Sequence, residues 1–258
     1  MKRVLVTAAV RQELSALERE LADVEALSGE GYLRGTLEGA EVHLTLTGIG
    51  AGKARRRVEL LLTERRPDLL LAVGFGGGLI GTLRNGDVII AERVVEAASN
   101  GDEPRQLSVD EVLLAAADDV SIPRGNVRRG CLLTVPTVVS SAKGKRDLGS
   151  RYGADGVDME SFAILAAALD KGVSCIVARA VFDEAALDLP PGLEKIPSPD
   201  GRPRPMGLAR LLLRHPWSFF RLFSLRGRSV RAAGSLAAFV RGFLRSMDGA
   251  AEDVCGHS

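Results

Sequence analysis

Short apolar runs rich in β-branched residues alternate along the chain with longer segments that carry apolar residues at helical spacing. Residues 2–9 predict a strand and residues 11–21 a helix, and two runs of alternating polarity, 32–37 and 42–47, predict a β-hairpin. Further strands are predicted at 69–73, 88–90, 127–135 and 173–181, a short apolar segment at 154–157, helices at 53–66, 108–118, 140–152 and 162–169, and a surface loop at 98–106. This order predicts a strand-rich α/β domain that ends near residue 190.

A glycine cluster at 74–78 follows the apolar strand at 69–73 and is predicted to be a loop. Gly76, Gly78 and Gly81 match the dinucleotide-binding pattern G-x-G-x-x-G. That fingerprint requires a helix directly after it, whereas the sequence here predicts a turn and then a strand. The alternative is a loop where a ligand or another strand approaches the backbone closely.

The composition is that of a globular protein, but its charge is unevenly distributed. The 258 residues are 46% hydrophobic and carry a net charge of +1. Residues 201–247 contain ten arginines and no acidic residue, whereas residues 1–200 carry a net charge of −6. We predict a main domain at 1–190, a proline-rich linker at 191–205, a basic amphipathic helical extension at 206–247 and a flexible tail at 248–258.

The extension at 206–247 has three interpretations. Its apolar residues, with a tryptophan and three phenylalanines between 217 and 223, lie on one face of helices whose other face is rich in arginine. That apolar face can pack on the body or at a dimer interface and leave the arginines solvated. A basic, aromatic amphipathic segment is also typical of helices at a membrane surface. Nucleic-acid binding has little support, because no recognition motif accompanies the charge.

Signals for targeting, disulfides and metals are weak. The apolar part of residues 2–9 is too short for a signal peptide, and no run approaches the roughly 20 residues of a spanning helix. We therefore expect a cytoplasmic protein, peripheral on the inner face of the membrane if the extension binds lipid. Cys131, Cys175 and Cys255 show no paired spacing, and two of them lie in apolar strands. This predicts buried free thiols in a reducing compartment, with neither a disulfide framework nor a metal site.

Two acidic clusters stand beside apolar runs in the middle of the chain. Asp158 and Glu160 lie at a predicted junction between a short strand and a helix, and Asp183 falls just past the end of the strand at 173–181. Open α/β sheets place binding and catalytic groups at such strand ends. We therefore expect these carboxylates to form the working site.

Each acid also has a purely structural explanation. Asp183 can cap a helix that follows its strand, and Glu160 can interact with the dipole at the first turn of a helix. Glu13 can be an ordinary acid on a helix surface, and Asp158 can simply be solvated. Residue type and spacing alone leave these alternatives open.

Four motifs in this chain occur in the order seen in a known superfamily. They are a strand that leads to Glu13, Gly74-x-Gly76-Gly77-Gly78 followed by Asn85-Gly86-Asp87-Val88-Ile89, Val157-Asp158-Met159-Glu160, and Arg179-Ala180-x-x-Asp183. Over residues 1 to about 190 the chain resembles the nucleoside phosphorylase and nucleosidase superfamily, in particular its methylthioadenosine/adenosylhomocysteine nucleosidase branch. The resemblance implies a single three-layer α/β domain with a central twisted mixed sheet flanked by helices, followed here by the helical extension. It also implies a cofactor-independent enzyme and a homo-oligomer.

The C-terminal part of the chain carries a second resemblance. Its proline-rich linker and arginine-rich helical tail are similar to those of hopanoid-associated phosphorylases, which are thought to remove adenine from adenosylhopane. The resemblance implies that residues 1–190 are a nucleoside phosphorylase-like catalytic domain whose substrate is linked to a lipid.

The superfamily resemblance assigns roles to individual residues. An N-glycosidic bond breaks through an oxocarbenium-like state, so the site must stabilise a cationic sugar and make the base a neutral leaving group. By resemblance, Asp183 protonates the purine through N7, Glu160 holds the ribose hydroxyls and Glu13 activates the attacking water. For this task Asp183 needs a pKa raised by burial or by a neighbouring carboxylate. Further substrate contacts are implied for Met159, Phe182, Phe75, Gly76, Gly77 and Val138.

Two positions depart from the family pattern where the attacking group binds. The serine common in the family's glycine loop is Phe75 here, and the serine common before the catalytic aspartate is Phe182. No Gly-Asp-Pro-x-Arg phosphate motif occurs near the first strand, which favours water over phosphate as the nucleophile. Phosphate stays open, because Arg11 or the backbone amides at 76–78 can bind an anion.

The leading hypothesis is a hydrolase that releases adenine from a purine nucleoside, for which the amphipathic tail suggests a lipid-linked substrate such as adenosylhopane. A phosphorolytic nucleoside phosphorylase is the alternative of the same class. A non-catalytic nucleoside-binding or membrane-associated protein is the alternative of another class. We expect a small-molecule purine nucleoside as the partner, and no nucleic acid, cofactor or metal.

Overall fold

The computed structural model describes residues 1–26, 33–98, 102–189 and 218–255, with the side chains of the last helix described from 225 to 248. In chain order the elements are β1 (Arg3–Ala8), α1 (Arg11–Leu14), a 3₁₀ turn (Leu17–Arg19), β2 (Ala22–Ala26), β3 (Leu33–Leu37), β4 (Ala40–Leu46), α2 (Ala51–Arg65), β5 (Leu69–Gly78), β6 (Val88–Glu96), β7 (Arg105–Ser108), α3 (Glu111–Asp118), β8 (Val127–Thr134), α4 (Ala142–Tyr152), β9 (Gly156–Asp158), α5 (Ser161–Asp170), β10 (Cys175–Asp183) and α6 (Ser218–Cys255). The predicted linker and the first part of the predicted extension lie outside the described residues.

One mixed sheet organises the domain. Its strand order is β10-β6-β8-β9-β5-β1-β4-β3-β2, with β7 paired to β6. Because β10 also pairs with β5, the strands β5, β10, β6, β8 and β9 close into a ring. β10 lies parallel to β5 and antiparallel to β6. With α2 packed on α5, and α6 packed on α1, α3 and β10, the fold confirms the predicted α/β domain with a central mixed sheet and flanking helices.

The middle strands are buried along most of their length. β1 from Val4, β5 up to Gly74 and β10 up to Val181 are continuous runs of buried residues. Strands that are covered on both faces read as unbroken apolar runs, which is the pattern from which they were predicted. The hairpin of β3 and β4 instead alternates buried and partly exposed positions, as its sequence predicts.

Three segments differ from the predicted elements. The helix predicted at 11–21 is only α1 and a 3₁₀ turn, because the chain leaves the helix at Ser15, whose hydroxyl donates to the carbonyl of Gln12 at 2.8 Å. β2 has no counterpart among the predicted elements, since all of its side chains are exposed. β7 begins at Arg105, inside the predicted loop at 98–106. Such exposed strands carry little hydrophobic signal.

The glycine cluster at 74–78 is part of β5 and not the predicted loop. It pairs with β10 on one side, and its last two residues pair with β9 on the other. The predicted close approach is nevertheless present, since a Cβ at Gly74 would lie 3.1 Å from Oε1 of Glu13 and 3.2 Å from Nη1 of Arg179. The described residues between β5 and β6 contain no helix, which is incompatible with the dinucleotide-binding alternative. Glycine disfavours strands, but pairing with two neighbours overrides that preference here.

The described part of α6 belongs to the domain core. One face of it is buried in the same cluster as the central strands, through Ala232, Leu236, Ala237, Phe239, Val240, Phe243 and Leu244. Three of its arginines, at 228, 241 and 245, pair with acids of the body. The interpretation in which the apolar face packs on the body therefore holds for this part, and Arg241 and Arg245 stay 44% and 68% exposed while they pair with those acids. Within the described ranges, no helix has the length and apolar character needed to cross a membrane.

Candidate active site

A cavity of about 730 Å³ lies at the carboxyl ends of β5, β9 and β10. Its walls include every residue to which the family resemblance assigns a catalytic or substrate-binding role, namely Glu13, Phe75, Gly76, Gly77, Val138, Met159, Glu160, Phe182 and Asp183. Strand pairing explains why these distant segments meet. In the register of β5, Gly77 lies opposite Asp183 of parallel β10 and opposite Val157 of antiparallel β9. The ends of three strands therefore converge on one site, as the sheet topology predicts.

Glu13 is buried and is held by three backbone amides. Its Oε1 accepts a hydrogen bond from the N–H of Phe75 at 2.7 Å, and its Oε2 accepts from Ala9 at 2.8 Å and Val10 at 2.9 Å. Burial raises the pKa of Glu13, while the three amides and the nearby Arg179 oppose that rise. A carboxylate oxygen has two lone-pair positions, so Oε1 retains one for a water or a proton. Glu13 is therefore not an ordinary surface acid.

Asp158 is buried and fully bonded, and the interpretation that it is solvated is wrong. Its Oδ1 accepts from the hydroxyl of Thr134 at 2.8 Å, and its Oδ2 accepts from the N–H of Ser161 at 2.9 Å and from that residue's hydroxyl at 2.6 Å. Oδ2 also pairs with Nε of Arg179 at 2.8 Å, and that arginine is 3% exposed. Asp158 thus accepts hydrogen bonds from Ser161 at the start of α5, and its ion pair holds the guanidinium of Arg179 close to the other carboxylates of the site.

The carboxylate of Glu160 turns away from its own helix. Its Oε1 accepts a hydrogen bond at 2.7 Å from the N–H of Gly50, the residue that begins α2. Burial first, and then repulsion from Asp158, raises the pKa of Glu160 to about 7, although Gly50 and Arg179 act in the opposite direction. No other described residue donates to this carboxylate, which leaves Oε2 for a ligand. Glu160 is also the N-cap residue of α5, but its side chain makes no capping hydrogen bond to that helix.

Asp183 is the last residue of β10 and forms an ion pair with Lys145 of α4. Burial raises the pKa of Asp183, while Lys145 and, less strongly, Arg228 oppose that rise. Since residues 184–189 form a turn, the aspartate does not cap a following helix. Lys145 was not predicted to be a site residue. The available signal was its spacing of three residues from Ala142, which places both on the buried face of an otherwise polar helix.

The turn Asn85-Gly86-Asp87 holds the end of β10 against α6 and does not line the cavity. The Nδ2 group of Asn85 donates at 3.0 to 3.2 Å to the carbonyl groups of Val181, Phe182 and Arg228. Gly86 has a φ of 93°, and a Cβ at this position would collide with α6. This family motif therefore acts by positioning the strand end that carries Asp183.

The wall opposite these polar groups is apolar. Phe75 and Phe182, the two positions where the family commonly has serine, stack with their ring centroids 5.7 Å apart. Further apolar side chains come from the segments after β8 and β10 and from α6, namely Val135, Val138, Val139, Leu189, Leu225 and Val230. The predicted extension thus contributes to the cavity itself. The site consequently has an acidic half and an apolar half.

Of the groups that could bind an anion, Arg11 lies outside the cavity, whereas Gly76 and Gly77 line it. Arg11 pairs with Glu18 at 3.1 Å, its side chain is 74% exposed, and it does not line the cavity. The glycines at 76–78 lie in a paired strand. Among the described residues that line the cavity, Arg226 is the only cation, against the four acids Glu13, Asp158, Glu160 and Asp183.

Cys131 and Cys175 do not line the cavity. Cys131 and Cys175 are buried free thiols in β8 and β10, as predicted. Burial raises the pKa of the Cys175 thiol to about 12, so it stays protonated and unreactive at neutral pH. Over the part of the chain that the structure describes, no group of His, Cys, Asp and Glu side chains is arranged to hold a metal ion.

Comparison with known proteins places this geometry in a family. The model of the phosphorylase superfamily matches residues 3–195 of this chain. The chain is 27% identical over 200 residues to a 5′-methylthioadenosine/S-adenosylhomocysteine nucleosidase of Exiguobacterium sp., a match that covers 71% of this chain and 85% of the relative.

Solved structures agree with this fold. A 5′-methylthioadenosine/S-adenosylhomocysteine nucleosidase from Colwellia psychrerythraea in complex with adenine superposes with a TM-score of 0.71 at 19% identity, over 95% of each chain. A futalosine hydrolase mutant of Helicobacter pylori superposes with a TM-score of 0.69 at 18% identity, over 94% of this chain and 98% of that one. At these identities the superpositions show only that the fold is shared. Membership of the family is shown by the family model, which matches residues 3–195. The chain belongs to the phosphorylase superfamily.

Proposed function

We propose that the protein hydrolyses the N-glycosidic bond of a purine nucleoside and releases adenine. The observation that carries the proposal is the placement of Glu13, Glu160 and Asp183 around one cavity. Glu13 and Glu160 both face the guanidinium of Arg179, and Asp183 stands four residues further along the same strand. The two ends of the cavity can therefore act on the two halves of one nucleoside.

The reaction follows from these placements. The bond between C1′ and N9 breaks and its electron pair moves into the purine, whose N7 takes a proton from Asp183, as the family resemblance implies. The sugar becomes oxocarbenium-like, and the carboxylates of Glu13 and Glu160 stabilise its positive charge. Glu160 accepts hydrogen bonds from the ribose hydroxyls. Water adds to C1′ and loses its proton to Oε1 of Glu13.

Water suits this cavity better than phosphate does. An attacking phosphate would have to enter beside Glu13 and Glu160, and like charges at short range in a site of low dielectric repel strongly. Arg11, the side chain expected to bind phosphate, faces solvent. Phosphorolysis therefore remains the alternative that the product assay below distinguishes.

The relatives support this assignment. The Exiguobacterium protein is named as a nucleosidase, and the Colwellia structure holds adenine in a fold that covers 95% of this chain. A nucleosidase of this fold needs no cofactor, which suits a site made of carboxylates and backbone amides. Adenine is accordingly the base that we propose.

The apolar half of the cavity suggests the rest of the substrate. The stacked rings of Phe75 and Phe182 form an apolar surface, which Leu225 and Val230 of α6 extend, while Arg226 and Ser229 of the same helix also line the cavity. Apolar surface is stabilised by contact with apolar ligand groups, at about 25 cal/mol per Å² buried. We therefore propose a large apolar 5′ substituent, and adenosylhopane is the lipid-linked nucleoside that the resemblance to hopanoid-associated phosphorylases suggests.

Any membrane contact would use the earlier part of the extension. The apolar face of α6 at 232–244 is occupied by the body and is not available to lipid. We propose that residues 206–224, which carry the tryptophan and three phenylalanines, make peripheral contact with a membrane. Flotation with anionic liposomes tests this with W217S/F220S, and equal flotation of variant and wild type would contradict it. A homo-oligomer stays a prediction of the family resemblance, which light scattering checks.

The function itself is tested by product analysis. Purified protein is incubated with adenosine, methylthioadenosine, adenosylhomocysteine and adenosylhopane, with and without phosphate, and adenine is quantified. Adenine release without phosphate is expected, and it should fall about 10²- to 10⁴-fold in D183N. No adenine from any substrate would leave the non-catalytic binding protein as the better account. Full activity of D183N would remove Asp183 as the acid.

A further inference from the structure

Lys145 is a fully buried lysine that the proposed reaction does not use. It is 0% exposed, although most of α4 faces solvent. Its Nζ donates to the carbonyl of Glu184 at 3.0 Å and to that of Leu187 at 2.8 Å, and it forms an ion pair with Oδ2 of Asp183. The ammonium group therefore has two hydrogen-bond acceptors and one ionic partner. A buried charge is costly unless it is paired in this way.

The surroundings make the pair rigid. The amide of Ala142 donates to Oδ1 of Asp188 at 2.7 Å, and the amide of Leu189 donates to the carbonyl of Ser140 at 2.8 Å. These bonds tie the start of α4 to the turn that follows β10. Lys145 joins the two segments, because it contacts Glu184 and Leu187 of the turn and pairs with the proposed acid.

We propose that Lys145 is a positioning residue for Asp183, which holds Oδ2 of the acid against α4 and stabilises the carboxylate left after proton transfer. The chemistry of this inference rests on the proposed function, whereas the ion pair does not. When the C1′–N9 bond breaks and N7 takes its proton, Asp183 becomes an anion. The adjacent ammonium favours that anion, while Oδ1 is left to face the purine.

The other charged groups near Asp183 affect its pKa less than Lys145 does. Arg228 of α6 acts on the aspartate in the same direction as Lys145, and it also lies 3.7 Å from Oε1 of Glu184. Glu184 follows the acid directly and is partly neutralised by that arginine. From β5, the uncharged Gly77 lies close to the carboxylate, where an added Cβ would be 3.4 Å from Oδ2. Lys145 is therefore the principal charge that tunes Asp183.

A titration tests the pair without reference to activity. Carboxyl carbons of aspartate are labelled with ¹³C, and the Asp183 resonance is assigned by its loss in D183N. In K145Q this carboxyl should titrate at higher pH than in the wild type. The matched control is K143Q, which removes an 82% exposed lysine of the same helix and should change nothing. An Asp183 titration that is equal in K145Q and wild type would overturn the proposal.

Kinetics test the role in catalysis. K145Q should lower kcat at least about tenfold and move the limb of the pH profile that D183N abolishes to higher pH. In the D183N background the same change should cost nothing more, because Lys145 acts through Asp183. The double variant has no unpaired buried charge and serves if K145Q alone does not fold. A kcat for the double variant tenfold below that of D183N would contradict the proposal. If the wild type releases no adenine, the proposed function fails, and the titration still decides the role of Lys145.

Discussion

Phe75 of β5 and Phe182 of β10 stack on one another, with ring centroids 5.7 Å apart and an interplanar angle of 19°. These are the two positions at which the family commonly has serine. The two departures are therefore one structural change, a paired apolar surface at the strand ends beside Gly76 and Asp183. Both rings line the cavity and extend its apolar surface.

Stacking predicts energetic coupling between these rings. The variants F75A, F182A and F75A/F182A form a double-mutant cycle, in which we expect a coupling of about 0.5 to 1.5 kcal/mol in the free energy of unfolding, measured by urea denaturation. A cycle of Phe75 with the exposed Val112 of α3 is the control, and its effects should add. Additive effects in the first cycle as well would show that the contact contributes nothing.

The pKa of Glu160 predicts a dependence of stability on pH. The folded protein binds the Glu160 proton more tightly than the unfolded chain does, because the pKa rises from 4.5 to about 7 on folding. Stability from this group is therefore fully present below pH 4.5 and is lost as the pH rises towards 7. E160Q, which carries no charge, should be more stable than the wild type by about 3 kcal/mol at pH 8, and this advantage should shrink towards pH 5.

Denaturation at both pH values checks this, with the exposed Glu64→Gln as the matched control for the loss of one carboxylate. A stability advantage of E160Q that is the same at pH 5 and pH 8 would contradict the raised pKa. If E160Q is more stable at pH 8 but inactive, as we expect, the charge of Glu160 serves function at the expense of stability.

The pair of Asp158 and Arg179 predicts a large effect of charge removal. R179M leaves a buried carboxylate without its partner and should lower the free energy of unfolding by about 3 to 5 kcal/mol. D158N/R179M, which removes both charges, should recover part of that loss. The control is R55M, since Arg55 makes only exposed ion pairs and its loss should cost less than about 1 kcal/mol. Equal losses in R179M and R55M would show that the buried pair has no special role.

The packing of α6 predicts that its later turns are needed for folding. F239A removes a side chain that is fully buried in the main core and should cost about 3 to 5 kcal/mol. V112A, at a position that is 73% exposed, should change stability by no more than about 0.5 kcal/mol. Guanidinium denaturation measures both. A small effect of F239A would mean that α6 is a separable appendage after all.

Much of the fold could be predicted from the sequence because its central strands are long apolar runs and its hairpin alternates. The segments that differ are those where local preference and tertiary pairing disagree. Gly74 to Gly78 lack the side chains of a typical strand but are held by β9 and β10. β2 exposes all of its side chains and so carries no hydrophobic pattern.

The candidate site could also be predicted only in part. Residues at strand ends, such as Asp183 and Gly77, could be placed together because strand topology fixes where strand ends lie. The partners of each carboxylate could not be predicted, since they come from elements far away in sequence. Glu13 is held by Phe75, Glu160 by Gly50 and Asp183 by Lys145. Such contacts depend on packing, which hydrophobic periodicity does not encode.

The most direct test of the account is the origin of the oxygen on the sugar product. The protein is incubated with a purine nucleoside in ¹⁸O-labelled water containing phosphate, and the sugar is analysed by mass spectrometry within the first turnovers. The acidic cavity predicts a free sugar that carries one ¹⁸O at C1′, released together with adenine. A sugar 1-phosphate with no label at C1′ would contradict it.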